Sequence, residues 1–234
     1  MTLQEVLDRL ARGKLSNLHL CENGKVKEQN LAKVVDSINE ALLVLYTKLP
    51  LKENSVLIEL YEGRTDYPIT SEHSTRKRTD SIFDLYDFYI RDTDERPFED
   101  DILTILEVWD DLDRKRPIND PDDPLGVYTS DTNVLCVNYT SSVRVLNVIY
   151  KAKHKELTPD NLKAEVILPF NLFGALYSYV AYLIHSEINT KEAESNAQKY
   201  LAEFNALVSQ VIECSPINSD KLVSDAKFTR RGWV

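Results

Sequence analysis

The sequence predicts an α+β protein: a four-helix bundle with an inserted antiparallel β-sheet and an extended C-terminal tail. Three observations carry this. Apolar residues recur at helical spacing within residues 1–50 and again within 160–214, which gives helices at both ends. Residues 55–152 hold runs of β-branched and aromatic residues separated by turn signals, which gives strands. Beyond Cys214 no periodicity remains, so 215–234 reads as a tail.

The elements follow in order. Leu3, Val6, Leu7 and Leu10 share one helical face, and Gly13 ends that run. Asn23-Gly24 marks a turn. Leu31, Val34, Val35, Ile38, Leu42, Leu45, Tyr46 and Leu49 then predict a core helix stopped by Pro50. SVLIELY (55–61) and, after it, GRTDYPIT (63–70) open a hairpin or meander. Residues 71–101 are polar and basic, then aromatic, then acidic, and read as a long excursion from the sheet rather than part of its core. The sheet resumes with ILTILEVW (102–109), TNVLCVNY (132–139) and SVRVLNVIYKA (142–152), and the intervening loop is rich in proline and charge. Pro169 suits a first helical turn, and Leu172, Phe173, Leu176, Val180, Leu183 and Ile184 line one face of the next helix. Gly174, Ser178 and Ala181 lend its other side small residues, which serve either a subunit contact or a neighbouring helix of the same chain. After Asn189-Thr190, Ala193, Ala197, Tyr200, Leu201, Phe204, Leu207, Val208 and Val211 form the last helix.

Composition narrows the function. The 234 residues are 43% hydrophobic and 28% charged, as in folded globular chains, and the formal charge of −10 opposes wrapping nucleic acid through phosphate neutralisation. Cys21, Cys136 and Cys214 are an odd, widely spaced set, expected to be reduced thiols acting as small hydrophobes. The N-terminus has no apolar signal segment, and the charge-free stretch 166–186 reads as a buried helix rather than a membrane span.

Phosphate-binding, dinucleotide-binding, zinc-protease and serine-hydrolase motifs are absent, and His19, His73, His154 and His185 are scattered. No catalytic, cofactor-binding or metal residue is therefore expected. The acids of Asp120-Pro121-Asp122-Asp123 read as a solvated loop, lacking the glycine and closing glutamate of an EF-hand. Arg76-Lys77-Arg78 and Arg114-Lys115-Arg116 are flanked by acids and read as solvated or protein-docking loops.

Four segments carry a resemblance: INEALLVLYTKLPL (38–51), EGRTDYPI (62–69), ILEVWDDLDRKRPIND (105–120), and LNVIYKAKHKELT (146–158) followed by ILPFNLFGALYSYVAYLIHSE (167–187). In this order, across residues 1–214, the chain resembles the head-to-tail adaptor (connector, or tubular tail) proteins of tailed bacteriophages. The resemblance implies a non-enzymatic virion protein without a cofactor, assembled in the bacterial host cytoplasm and seated at the head-tail junction. Its partners would be the portal protein and a tail or nozzle protein, with further copies of itself in a ring of roughly twelve subunits. Genomic DNA would pass through that ring without sequence-specific binding.

Residues 1–214 would then be the adaptor domain, with a β insertion at 55–152, and 215–234 a docking tail whose Phe228, Arg230, Arg231 and Trp233 anchor on the portal or a neighbouring subunit. Acidic loops at 92–101 and 107–123 either line the DNA channel or simply solvate outer turns. Two other classes compete with the adaptor. An enzyme would be a monomer or small dimer with a cleft, and a regulatory DNA-binding protein would need a basic face.

Overall fold

The computed structural model describes residues 1–77, 86–92, 97–123, 125–138 and 144–214. The expected anchors Phe228, Arg230, Arg231 and Trp233, with the rest of the tail, lie outside these residues. The described chain divides into a helical unit, Met1–Ala41 with the residues from Glu156 onward, and a strand-rich unit, Leu42–Lys155.

In the helical unit, α1 (Leu3–Arg12) begins with a capping box: the Thr2 hydroxyl accepts from the Glu5 N–H, and the Glu5 carboxylate accepts from the Thr2 N–H. The segment is held to 162–166 by backbone bonds from Leu3 to Ala164 and from Val166 to Met1. The apolar stripe predicted from sequence, Leu3, Val6, Leu7 and Leu10, is buried. A short hairpin follows, β1 (Cys21–Glu22) against β2 (Lys25–Val26). Its turn residues Asn23 and Gly24 both have positive φ, the requirement of the tight turn that the Asn-Gly pair favours. α2 (Leu31–Lys48) buries Val34, Val35, Ile38 and Ala41 within this unit.

α3 (Phe173–Ser186) and α4 (Lys191–Cys214) form a helical hairpin. Thr190 starts α4 by accepting the Ala193 N–H on its hydroxyl. α3 buries Phe173, Ala175, Leu176, Ser178, Val180, Ala181, Ile184 and His185, while Tyr177, Tyr179 and Tyr182 are half-buried. No helix among the described residues is long and apolar enough to cross a membrane.

The strand-rich unit contains β3 (Glu53–Glu59), β4 (Asp66–Pro68), β5 (Ile90–Arg91), β6 (Ile102–Asp110), β7 (Lys115–Arg116), β8 (Val127–Asp131), β9 (Val134–Val137) and β10 (Val145–Ala152). Five strands pair antiparallel in the order β5-β3-β10-β6-β7, and three in the order β4-β9-β8. β10 is central and alternates strictly between half-buried and buried residues. Its buried Leu146, Val148 and Tyr150 join Val56, Ile58 and Val108 of the larger sheet and Tyr67, Val127, Leu135 and Val137 of the smaller in one core. The unit is thus two sheets packed over a shared interior.

This corrects the expected architecture. The protein is α+β, yet the described residues hold four α-helices and ten strands in three sheets, not a four-helix bundle carrying one inserted sheet. The physical reason lies in the alternation: residues 55–152 bury their apolar positions against a second sheet, so they need no helix to cover them. The 71–101 stretch also contributes to that core, because Ile90–Arg91 pairs with β3 and Tyr89 and Ile90 are fully buried.

Candidate functional site

Charged side chains in the strand-rich unit concentrate in three networks. Asp101, just before β6, is 3% exposed. Its carboxylate accepts from the Tyr150 hydroxyl at 2.8 Å, from Asn54 Nδ2 at 3.0 Å and from Lys52 Nζ at 2.8 Å. Tyr150 and Asn54 are register partners on β10 and β3, which is why they converge on one acid. Burial and the adjoining Asp101 charge push the Tyr150 phenol up, away from ionisation. Burial opposes the charge on Lys52, but Asp101 and Glu99 outweigh it and raise the Lys52 ammonium.

The second network sits on the β6–β7 hairpin. The turn Asp111-Leu112-Asp113, with Asp113 at positive φ, folds Arg114-Lys115-Arg116 back onto β6. Arg114 and Arg116 then reach Asp110 at 2.9 and 2.8 Å, and Lys115 reaches Glu107 at 2.7 Å. Burial works against the Asp110 carboxylate, yet its bonds from Arg114 and Leu112 and the Arg116 charge hold it below the usual carboxylate range. This basic triplet is neutralised within the hairpin, as partners of β6 rather than as a free cationic face. In the third network Asp92 accepts from the Ser74 hydroxyl at 2.6 Å and the Phe98 N–H at 3.0 Å, and lies 3.4 Å from Arg76 Nε. Lys77 of the other triplet bonds Ser71, and Arg78 lies outside the described residues.

A cation-aromatic cluster lies beside them. Arg64 lies over the edge-to-face pair of Tyr67 and Tyr89, its guanidinium carbon 5.5 and 4.3 Å from their centroids, and donates to the carbonyls of Asp66 and Tyr86. His73 stacks on Tyr89, and burial pushes the Tyr89 phenol up.

These arrangements hold backbone and strands together. Among the described residues no group of three or more His, Cys, Asp or Glu side chains is placed to hold a metal ion. Of the described acids expected on the two loops, Asp92, Asp101, Glu107 and Asp110 point inward to partners, whereas Glu99 and Asp100 on the first and Asp111, Asp113, Asp120 and Asp122 on two turns of the second are exposed. The half-buried Cys136 thiol donates to Asp66, and Cys21 is also half-buried and reduced.

The helical unit presents a different surface. Phe170, in the single turn Phe170–Leu172 before α3, is 81% exposed, and Ile167 is 65% exposed. Sequence reading missed Phe170, which directly follows Pro169 and, three residues before Phe173, continues the predicted apolar face by spacing. At the other end of α3, an open hollow of about 540 Å³ is lined by Tyr182, Ile188, Ala197 and Leu201 together with six polar residues, Lys191 and Glu194 among them. Ser178 and Ala181 expose no surface, and Gly174 is half-buried with a 3.4 Å clearance to the Leu207 side chain of α4 from where a Cβ would sit.

No family model and no curated protein matches the chain.

Proposed function

We propose that the chain is a structural subunit of a phage virion, a head-to-tail adaptor that forms a ring beneath the portal, joins capsid to tail and encloses the DNA channel. The observation that carries this reading is the contrast between buried charged groups and exposed apolar ones. The buried carboxylates are held by donors from neighbouring strands and turns of the same unit, so they fasten the fold instead of facing a substrate. The helical unit meanwhile leaves Phe170 and the nearby Ile167 in solvent, apolar area that a contact with another protein would cover.

Two further features support it. The residues of INEALLVLYTKLPL and ILPFNLFGALYSYVAYLIHSE, which carry the sequence resemblance, form α2 and α3 with their flanks. The exposed acids on the turns at 111–113 and 120–122 suit a wall past which DNA slides, because like charge prevents adhesion.

The test is depletion from assembling particles. Phage made without this chain should accumulate filled heads that carry a portal but no tail, and adding purified protein to such heads should restore tail attachment. Heads that acquire tails normally in its absence would exclude the adaptor role. A turnover by the purified chain that disappears on substituting Asp101 would favour an enzyme.

A further inference from the structure

The apolar surface before α3 lies where the end of α4 arrives. The two helices run antiparallel, with Gly174 at the start of α3 against Leu207, so the last two turns of α4 pass beside Phe170–Leu172. Ile212, in the final turn of α4, is itself exposed. Phe170, Ile167 and Ile212 are therefore left in solvent at one end of the helical unit.

Residues 215–234 leave from this same end, directly after Cys214. They supply apolar groups of matching kind, Leu222, Val223, Phe228 and Trp233. Their charge is complementary as well: Lys221, Lys227, Arg230 and Arg231 outnumber Asp220 and Asp225, whereas the whole chain carries −10, so the rest of it is more acidic still. Exposed Glu165 and Glu213 stand next to the apolar group in the chain, with Lys163 before them. Reach is ample, since an extended backbone carries Phe228 up to about 45 Å from Cys214, against roughly 20 Å for the width of a helix pair. A segment tethered this close meets the surface at an effective concentration on the order of millimolar, which favours its own subunit over a second copy or a separate protein.

We infer that residues 215–234 fold back on their own subunit, with Phe228 and Trp233 covering Phe170, Ile167 and Ile212 and the tail cations meeting Glu165 and Glu213. The contact is intramolecular and does not rest on the ring reading. Within that reading, a partner that reaches Phe170 first displaces the tail, so the docking surface is guarded until assembly.

The experiment is limited trypsin digestion of the purified full chain, with cleavage at Lys221 and Lys227 followed by mass spectrometry in wild type, Phe170→Asp, Trp233→Asp and the pair. Phe170 is exposed, and circular dichroism checks that each variant keeps its helix content. Proteolysis follows the fraction of time that a segment is open, so cleavage at both sites should rise roughly tenfold or more in either single variant. The pair should be cleaved no faster than the singles, because both remove one contact. Protection in the wild type should be unchanged on dilution. Equal cleavage in wild type and Phe170→Asp, or effects of the two substitutions that simply add, overturn the contact. Protection that fades on dilution places the tail on a second copy and overturns it as well. Each of these results leaves the ring reading standing, whereas heads that gain tails without the chain remove that reading alone.

Discussion

Four donors converge on the Asp110 carboxylate: the N–H groups of Leu112 and Arg114 and the guanidinium groups of Arg114 and Arg116. Its side chain is wholly buried, and Arg116 is nearly so, with Nε left without a partner. Removing one member of such a pair strands a buried charge, so Asp110→Ala should destabilise the strand-rich unit by about 3–5 kcal/mol in urea denaturation. Asp110→Ala combined with Arg116→Met should cost clearly less, because no charge is then stranded. The pH dependence has a definite sign. The folded carboxyl sits below its ordinary value of 3.8, so its contribution is complete above that value and is lost as pH falls through the folded one. His185 behaves likewise at higher pH. Burial lowers it from 6.5 against the opposing Lys14 carbonyl, and its Nδ1 has no partner. The unfolded chain takes up that proton first, so the helical unit should lose stability as pH falls below 6.5. Thermal melts of wild type and His185→Gln across that range check this: the variant should show a shallower decline.

At the scale of elements, packing between α3 and α4 sets the tolerance of the helical unit. A Cβ at Gly174 would lie 3.4 Å from Leu207 Cδ1, so Gly174→Leu should overpack the pair by about 1–3 kcal/mol. A urea midpoint for the isolated chain separates this effect from one on assembly. Gly24, at φ +72° with Arg12 Cγ 3.2 Å from the added Cβ, should cost about 1–2 kcal/mol as Gly24→Ala. Helices were the most legible elements in the sequence, because Leu3, Val6, Leu7 and Leu10, or Val34, Val35 and Ile38, show their period within one stretch of chain. The Asn23-Gly24 turn was legible for an equally local reason. What could not be read was the pairing of sheets, since Tyr67, Leu135 and Val148 meet across long sequence separations. Nor does a basic triplet such as Arg114-Lys115-Arg116 reveal that its turn returns it to Glu107 and Asp110. Phe170 was missed for another reason: an apolar residue beside a helix is normally part of its buried stripe, and only the fold shows it standing outside.

For the whole molecule, the two units divide the work of the proposed adaptor. In that proposal the helical unit would offer the exposed Phe170 and Ile167 to a partner, while the strand-rich unit is fastened internally by Asp92, Asp101 and Asp110. A net charge of −10 opposes adhesion to DNA, and in the proposed ring it would let a genome pass the subunits without a release step. The most direct test of this account is the mass of the purified chain, with negative-stain images, measured with and without the portal protein. The account predicts a closed ring with a central opening when the portal is present, its mass a whole multiple of 26.9 kDa above the portal's own. A chain that remains a monomer or small dimer and leaves the portal unaltered would contradict it.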